Sequence, residues 1–206
     1  DWLAAIPGGV PLALITLGTT FTGDLGFYSW AAHAAARVGL LPVIAIGYHA
    51  YTPESKQELI RSLPKGARLL NFVPFEHVLP RVRLMFHHGG MGTTHAAVVY
   101  GVPQIVVPHA ADQRGQARRV AEAKVGLNLT AHDVRNGKLL EGARAIMASD
   151  LVTRSARDLA AQMAQMRALG LMFDRDAGGD WLHARTLPTA GGIAFEIVQR
   201  LGAYGG

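Results

Sequence analysis

Residues 87–116 read HHGGMGTTHAAVVYGVPQIVVPHAADQRGQ, and this segment is the most informative about the fold. The apolar run Leu84–His87 predicts a buried strand that ends in a glycine-rich turn. Thr93–Tyr100 has helical composition and is closed by Gly101, and Gln104–Val107 is the next apolar strand. A strand, a turn, a helix and a second strand in this order predict one βαβ unit of a parallel sheet.

The same alternation of apolar runs and helical segments covers the chain as far as Leu129. Strands that are apolar throughout indicate an α/β, Rossmann-like parallel sheet with helices on both faces. All carboxyl ends of such a sheet share one edge, where ligands bind. The other predicted strands are Leu12–Leu17, Pro42–Gly47, Ala67–Val73 and Leu127–Leu129. The other predicted helices are Tyr28–Val38, Glu54–Leu63, Phe75–Val82 and Gln113–Lys124.

The pattern changes after Ala131 to a helical C-terminal segment. Lys138–Ala148 and Leu151–Leu169 carry apolar residues at helical spacing. Residues 170–192 are rich in glycine and predict a loop or lid, and Ile193–Leu201 predicts a closing helix. We interpret residues 1–206 as a single domain, because this length suffices for one full α/β core.

Composition narrows the function classes. Half of the residues are hydrophobic and 17% are charged, which argues against disorder. The chain has no cysteine, which excludes disulfides and thiolate zinc sites and suits the reducing cytoplasm, where we expect the protein to act. No apolar run is long enough to span a bilayer, and the first residues lack a signal peptide. Because the chain begins with Asp1, we expect a piece of a longer protein.

The charge distribution favours a small anionic ligand over nucleic acid. The net charge is +5, which favours anionic partners in general. The basic residues are scattered, however, and the one local group, Arg114, Arg118 and Arg119, has no interleaved aromatic residues. We therefore expect no nucleic-acid partner.

The glycine turn is suited to phosphate. Gly89, Gly90 and Gly92 allow backbone amides to approach a ligand, and Thr93 and Thr94 add hydroxyls where a helix begins. Free N–H groups and the helix dipole both favour an anion at such a position.

The order and spacing of these residues resemble the donor-binding half of a GT-B glycosyltransferase of the family-1 type. The similarity is greatest to bacterial natural-product glycosyltransferases. The matching pieces are Asn71–Pro74, His87–Thr94, Gly101–Gln104, Pro108 and Asp112–Gln113, with weaker similarity back to Leu17–Thr19 and forward to the predicted closing helix.

The resemblance implies a donor-binding domain for a UDP- or dTDP-sugar, in a protein that transfers the sugar to a small lipophilic acceptor with inversion. It implies no metal and no other cofactor. The N-terminal acceptor domain of the family, which supplies the catalytic histidine, has no counterpart here. We therefore expect no catalytic residue in this chain, which should bind the donor without transferring it alone.

The resemblance also assigns site residues. Phe72 would stack on the base and Val73 would bind its edge, whereas Asp112 and Gln113 would hold sugar hydroxyls. The implied phosphate-binding residues are Gly18, Thr19, His88, Gly90, Gly92, Thr93 and Thr94. Two positions depart from the family pattern. Ala96 stands where a ribose-binding glutamate is frequent, and Phe75 where glutamine is frequent, so either the ribose is held otherwise or the nucleotide is a deoxy one.

Other interpretations remain open at this stage. Phe72 could belong to the core, Asp112 could only cap a helix, and four histidines (His87, His88, His95, His109) could bind a metal. The protein could also be a non-catalytic nucleotide-sugar module that regulates a partner enzyme, or a sugar-nucleotide epimerase. A dinucleotide-binding dehydrogenase is disfavoured, because the turn lacks the third glycine of that fingerprint.

Overall fold

The computed structural model describes residues 2–18, 24–48, 51–110 and 112–168 with their side chains. It also describes the backbone of residues 171–176, 179–185 and 196–201. The chain divides into two compact units, Asp1–Asp158 and Leu159–Gly206.

The first unit contains a parallel sheet of six strands. They are β1 (Leu12–Thr16), β2 (Leu41–Ala45), β3 (Arg68–Leu70), β4 (Val82–His87), β5 (Gln104–Val106) and β6 (Gly126–Asn128). Their order in the sheet is β3-β2-β1-β4-β5-β6, and every neighbouring pair is parallel. This confirms the predicted α/β class. The strand order reverses between β1 and β4, which is where ligands bind in open sheets of this kind.

Helices connect the strands, and several of them begin after a residue whose side chain accepts a hydrogen bond from an amide of the first turn. Asp24 accepts from the Phe27 amide, so the first helix begins at Leu25 rather than at the predicted Tyr28. Thr52 and Thr130 have the same role for two later helices. The helices are α1 (Leu25–Arg37), α2 (Pro53–Ser62), α3 (Phe75–Val78), α4 (Met91–Val99), α5 (Gln113–Glu122), α6 (Ala131–Arg135), α7 (Lys138–Met147) and α8 (Asp150–Ala168).

The sheet is buried on both faces. In β1, Ala13 and Ile15 pack into one apolar cluster, whereas Leu12 and Leu14 pack into a second cluster. Because alternate residues of a strand point to opposite faces, both faces of the sheet are covered. The apolar strands thus fix the sheet in the interior and leave its carboxyl edge to the loops.

The second unit contains an antiparallel sheet that sequence reasoning missed. Residues 171–176, 179–185 and 196–201 form the strands β7, β8 and β9, with β8 in the centre. The predicted loop over 170–192 and the predicted helix Ile193–Leu201 are therefore wrong for the described residues. Pairing with β8 determines the conformation of β9, whose Ile197 and Val198 are β-branched and suit a strand. No helix within the described ranges is long and apolar enough to cross a bilayer.

Candidate functional site

A cavity of about 530 Å³ opens at the carboxyl ends of β1, β2 and β4. The predicted site residues that line it are Gly18, Phe72, Val73, His88, Gly90, Gly92 and Thr93. Three further predicted residues, Thr94, Asp112 and Gln113, are described but do not belong to its lining. Thr19 lies outside the described residues.

The imidazole of His88 lies between two glycines. A Cβ atom added to Gly18 would lie 2.7 Å from His88 Cε1, and one added to Gly90 would lie 2.5 Å from His88 Nε2. Gly18 also has a φ of +76°, which a side chain would disfavour. Both glycines therefore allow the ring to lie at the junction of β1 and the glycine turn, facing the cavity.

His88 is buried and lacks a partner within the described part of the chain. The residue is 7% exposed, and its Nδ1 atom is buried without a hydrogen bond. Burial lowers the pKa of His88 below its usual value, and the nearby His109 lowers it further, whereas Asp112 acts in the opposite direction. The ring is therefore mainly neutral near pH 7 and retains hydrogen-bonding capacity for a ligand.

The neighbouring His87 holds the turn in place. Its Nδ1 accepts a hydrogen bond of 3.0 Å from the Gly89 amide, so its Nε2 carries the proton and donates to Gln104 Oε1 at 2.9 Å. Burial lowers the pKa of His87 to about 3, which is consistent with this neutral form. These contacts give His87 a structural role in the glycine turn.

The amino end of α4 points its amides at the turn. Gly90 is the N-cap residue and, as a glycine, provides no side-chain cap for this helix. Thr93 lines the cavity, whereas the Thr94 hydroxyl donates to the Gly90 carbonyl at 3.0 Å. Within the part of the chain that the structure describes, the first-turn amides of α4 are thus open to an external acceptor, whereas the Thr94 hydroxyl is engaged within the protein.

Asp112 and Gln113 begin α5 but differ in their contacts. Gln113 Oε1 accepts from the backbone amides of His109 and Ala110, at 2.8 and 3.0 Å, and so ties the loop after β5 to the helix. Asp112 is exposed, and its side chain does not cap the helix. The alternative in which Asp112 serves as a side-chain cap is therefore wrong, and its carboxylate remains available near His88.

Aromatic rings line the other end of the cavity. Phe72 is 58% exposed, so the alternative that it belongs to the core is wrong. Its ring is stacked on that of Tyr48, with 6.3 Å between the centroids and 19° between the planes. Val73 beside it is buried. Sequence reasoning missed Tyr48, although its position three residues after the end of β2 places it at the ligand edge of the sheet.

A second group that the sequence did not reveal joins α1 to the loop after β5. His109 Nε2 lies 3.5 Å from Asp24 Oδ2, while Asp24 Oδ1 caps α1. The two residues are far apart in the sequence, and only the fold brings their side chains together. Among the described residues no cluster of three histidine, aspartate or glutamate side chains could hold a metal ion.

Comparison with known families agrees with this geometry. Residues 44–168 match the family described as erythromycin biosynthesis protein CIII-like, C-terminal domain. The chain belongs to this family. The predicted resemblance to GT-B glycosyltransferases of bacterial natural products is thereby confirmed. In this CIII-like domain the matched region contains the glycine turn, the aromatic pair and the start of α5.

Several relatives of this CIII-like domain are glycosyltransferases by name. L-demethylnoviosyl transferase of Streptomyces niveus is 37% identical over 137 residues, which are 65% of this chain and 34% of that protein. Elloramycin glycosyltransferase ElmGT of Streptomyces olivaceus is 31% identical over 162 residues, 77% of this chain and 39% of that protein. The fold is also similar to the crystal structure of glycosyltransferase VinC in complex with dTDP, with a TM-score of 0.64 and 28% sequence identity. This match covers 80% of this chain and 40% of the VinC chain. The chain thus spans less than half the length of these relatives.

Proposed function

We propose that this chain is the donor-binding domain of a cytoplasmic glycosyltransferase that uses a UDP- or dTDP-sugar. The intact protein would transfer the sugar, with inversion, to a small lipophilic acceptor of the natural-product type. An N-terminal domain would bind the acceptor and supply the general base. The observation that carries the proposal is His88, held between Gly18 and Gly90 at a cavity on the switch point of the sheet.

The diphosphate would bind at the glycine turn. The first-turn amides of α4 have no side-chain cap, and the helix dipole favours negative charge there. Gly92 supports this placement, because no described atom lies within 4 Å of a Cβ added to it. Packing within the protein therefore does not explain a glycine at this position, whereas a ligand close to the backbone does.

The chemistry would be a direct displacement. The acceptor hydroxyl, deprotonated by the other domain, would attack the anomeric carbon while the bond from this carbon to the phosphate oxygen breaks. Negative charge then develops on the departing nucleoside diphosphate. His88 and the α4 amides, fixed before the reaction, would stabilise that charge. Asp112 and Gln113, at the start of α5, would bind the sugar hydroxyls.

Calorimetry tests the donor-binding role. We expect UDP or dTDP to bind this chain with a one-to-one stoichiometry, because the cavity and the turn lie within one unit. We expect no sugar transfer by the chain alone, since the general base belongs to the other domain. Absence of binding to both nucleotides would reject the proposal, and turnover by the isolated chain would reject the assignment of the base.

Substitution of Asp112 tests the sugar contact. The Asp112→Ala variant should bind free UDP or dTDP as the unsubstituted chain does, but should bind the nucleotide-sugar about 3- to 10-fold more weakly. Titration of both ligands measures the difference. Glu122→Ala is a matched control, because Glu122 is an exposed carboxylate at the far end of the same helix. Equal losses for the free nucleotide and the nucleotide-sugar would contradict a sugar-specific role.

A further inference from the structure

The cavity has two chemically different ends. The glycine turn lines one end with Gly90, Gly92 and His88, which suit phosphate. The other end is lined by Tyr48, Phe72, Phe75, Asn71 and Glu76. A nucleoside diphosphate also has two ends, of which one is anionic and the other is a flat base on a pentose.

Glu76 provides the only carboxylate among the described residues of the lining. It is exposed on α3, and no hydrogen bond or ion pair engages it within the part of the chain that the structure describes. The guanidinium of Arg81, the next cation along the chain apart from His77, donates to the carbonyls of Leu3, Ile6 and Pro7. An unpaired carboxylate therefore faces the aromatic end of the cavity.

This carboxylate restricts what can bind beside it. An ionised carboxylate only accepts hydrogen bonds, so its partner must be a donor. It repels phosphate and thereby favours the orientation in which the diphosphate lies at the glycine turn. With the base on the exposed face of Phe72, the pentose lies between the base and the diphosphate, and its hydroxyls are the donors of that part of the ligand.

We infer that Glu76 accepts a hydrogen bond from a pentose hydroxyl and so selects the nucleoside part of the donor. The inference rests on the proposed function, because it requires a nucleoside diphosphate in this cavity. UDP offers a 2′- and a 3′-hydroxyl, whereas dTDP offers only the 3′-hydroxyl. Either hydroxyl can satisfy the carboxylate, and the two nucleotides distinguish them.

The test is calorimetric titration of the whole 206-residue chain and its Glu76→Ala variant with UDP, dTDP and 3′-deoxythymidine diphosphate. We expect the substitution to weaken binding of UDP or dTDP about 3- to 10-fold. Binding of 3′-deoxythymidine diphosphate, which lacks both hydroxyls, should be unchanged. A loss for both natural nucleotides assigns the 3′-hydroxyl, and a loss for UDP alone assigns the 2′-hydroxyl.

A control variant and two different negative results separate the role of Glu76 from the proposed function. Glu58→Ala removes an exposed carboxylate of α2 outside the cavity and should change none of the three affinities. Equal losses for all three ligands with Glu76→Ala, or no loss for any of them, would overturn the role of Glu76 alone. Failure of the unsubstituted chain to bind UDP and dTDP would overturn the proposed function together with this inference.

Discussion

Replacement of His88 by alanine is expected to weaken binding of UDP or dTDP by about 1–3 kcal/mol, roughly 5- to 150-fold. The imidazole of His88 lines the cavity, between Gly18 and Gly90 at the glycine turn. A hydrogen bond to an anionic phosphate in this buried position is stronger than one between neutral groups. Titration calorimetry of the variant measures the loss directly.

His95→Ala is the matched control for this prediction. His95 is an exposed residue of α4 and does not line the cavity. The variant therefore makes the same substitution at a histidine outside the site. We expect its nucleotide affinity to equal that of the unsubstituted chain. If His88→Ala also left the dissociation constant unchanged, His88 would not bind phosphate, and the diphosphate would be bound by backbone amides alone.

Replacement of Gly126 by alanine is expected to lower the free energy of unfolding by about 3 kcal/mol or more, at the upper end of overpacking effects. A Cβ atom at this position would overlap the backbone carbonyl oxygen of Gln104 and lie 2.8 Å from Val120 Cγ1. A backbone atom cannot rotate away, so β5 and β6 would have to separate. Urea denaturation followed by circular dichroism measures the change.

Gly115→Ala provides the control for that loss. Gly115 lies in α5 and no atom of the described residues lies within 4 Å of an added Cβ, so alanine should stabilise the chain by about 0.5–1 kcal/mol. The two variants thus add the same methyl group but are expected to change the free energy of unfolding in opposite directions. An unchanged denaturation midpoint for Gly126→Ala would indicate that β6 does not approach β5 as closely as described.

The parallel sheet was predictable because its strands have a recognisable pattern of apolar residues in the sequence. β1 (LALIT) is apolar except for its last residue, and β4 (VRLMFH) and β5 (QIV) are mostly apolar, which is typical of strands covered on both faces. The glycine turn between β4 and α4 was predictable for a similar reason, since local chemistry determines both a tight turn and a helix start. Gly18, His88 and Gly90 meet at one point because the carboxyl ends of parallel strands share an edge.

Contacts between distant segments were not predictable. The pair of Asp24 with His109 and the stacking of Tyr48 on Phe72 join residues whose separation in sequence carries no periodic signal. The role of Gln113 was equally hidden, because its side chain turns back onto the backbone of residues 109 and 110. The strand β9 was missed because Ile197, Val198 and Leu201 fit helical spacing as well, and only pairing with β8 decides between the two.

The two adjacent histidines, His87 and His88, differ in what determines their protonation. His87 is committed to one tautomer by Gly89 on one side and Gln104 on the other, and its pKa of about 3 keeps it neutral over the physiological range. The scaffold of the turn therefore does not titrate when the solution moves from mildly acidic to mildly basic. Because burial lowers the pKa of the neighbouring His88, a change of nucleotide affinity that originates in this histidine would appear on the acidic side of its usual range.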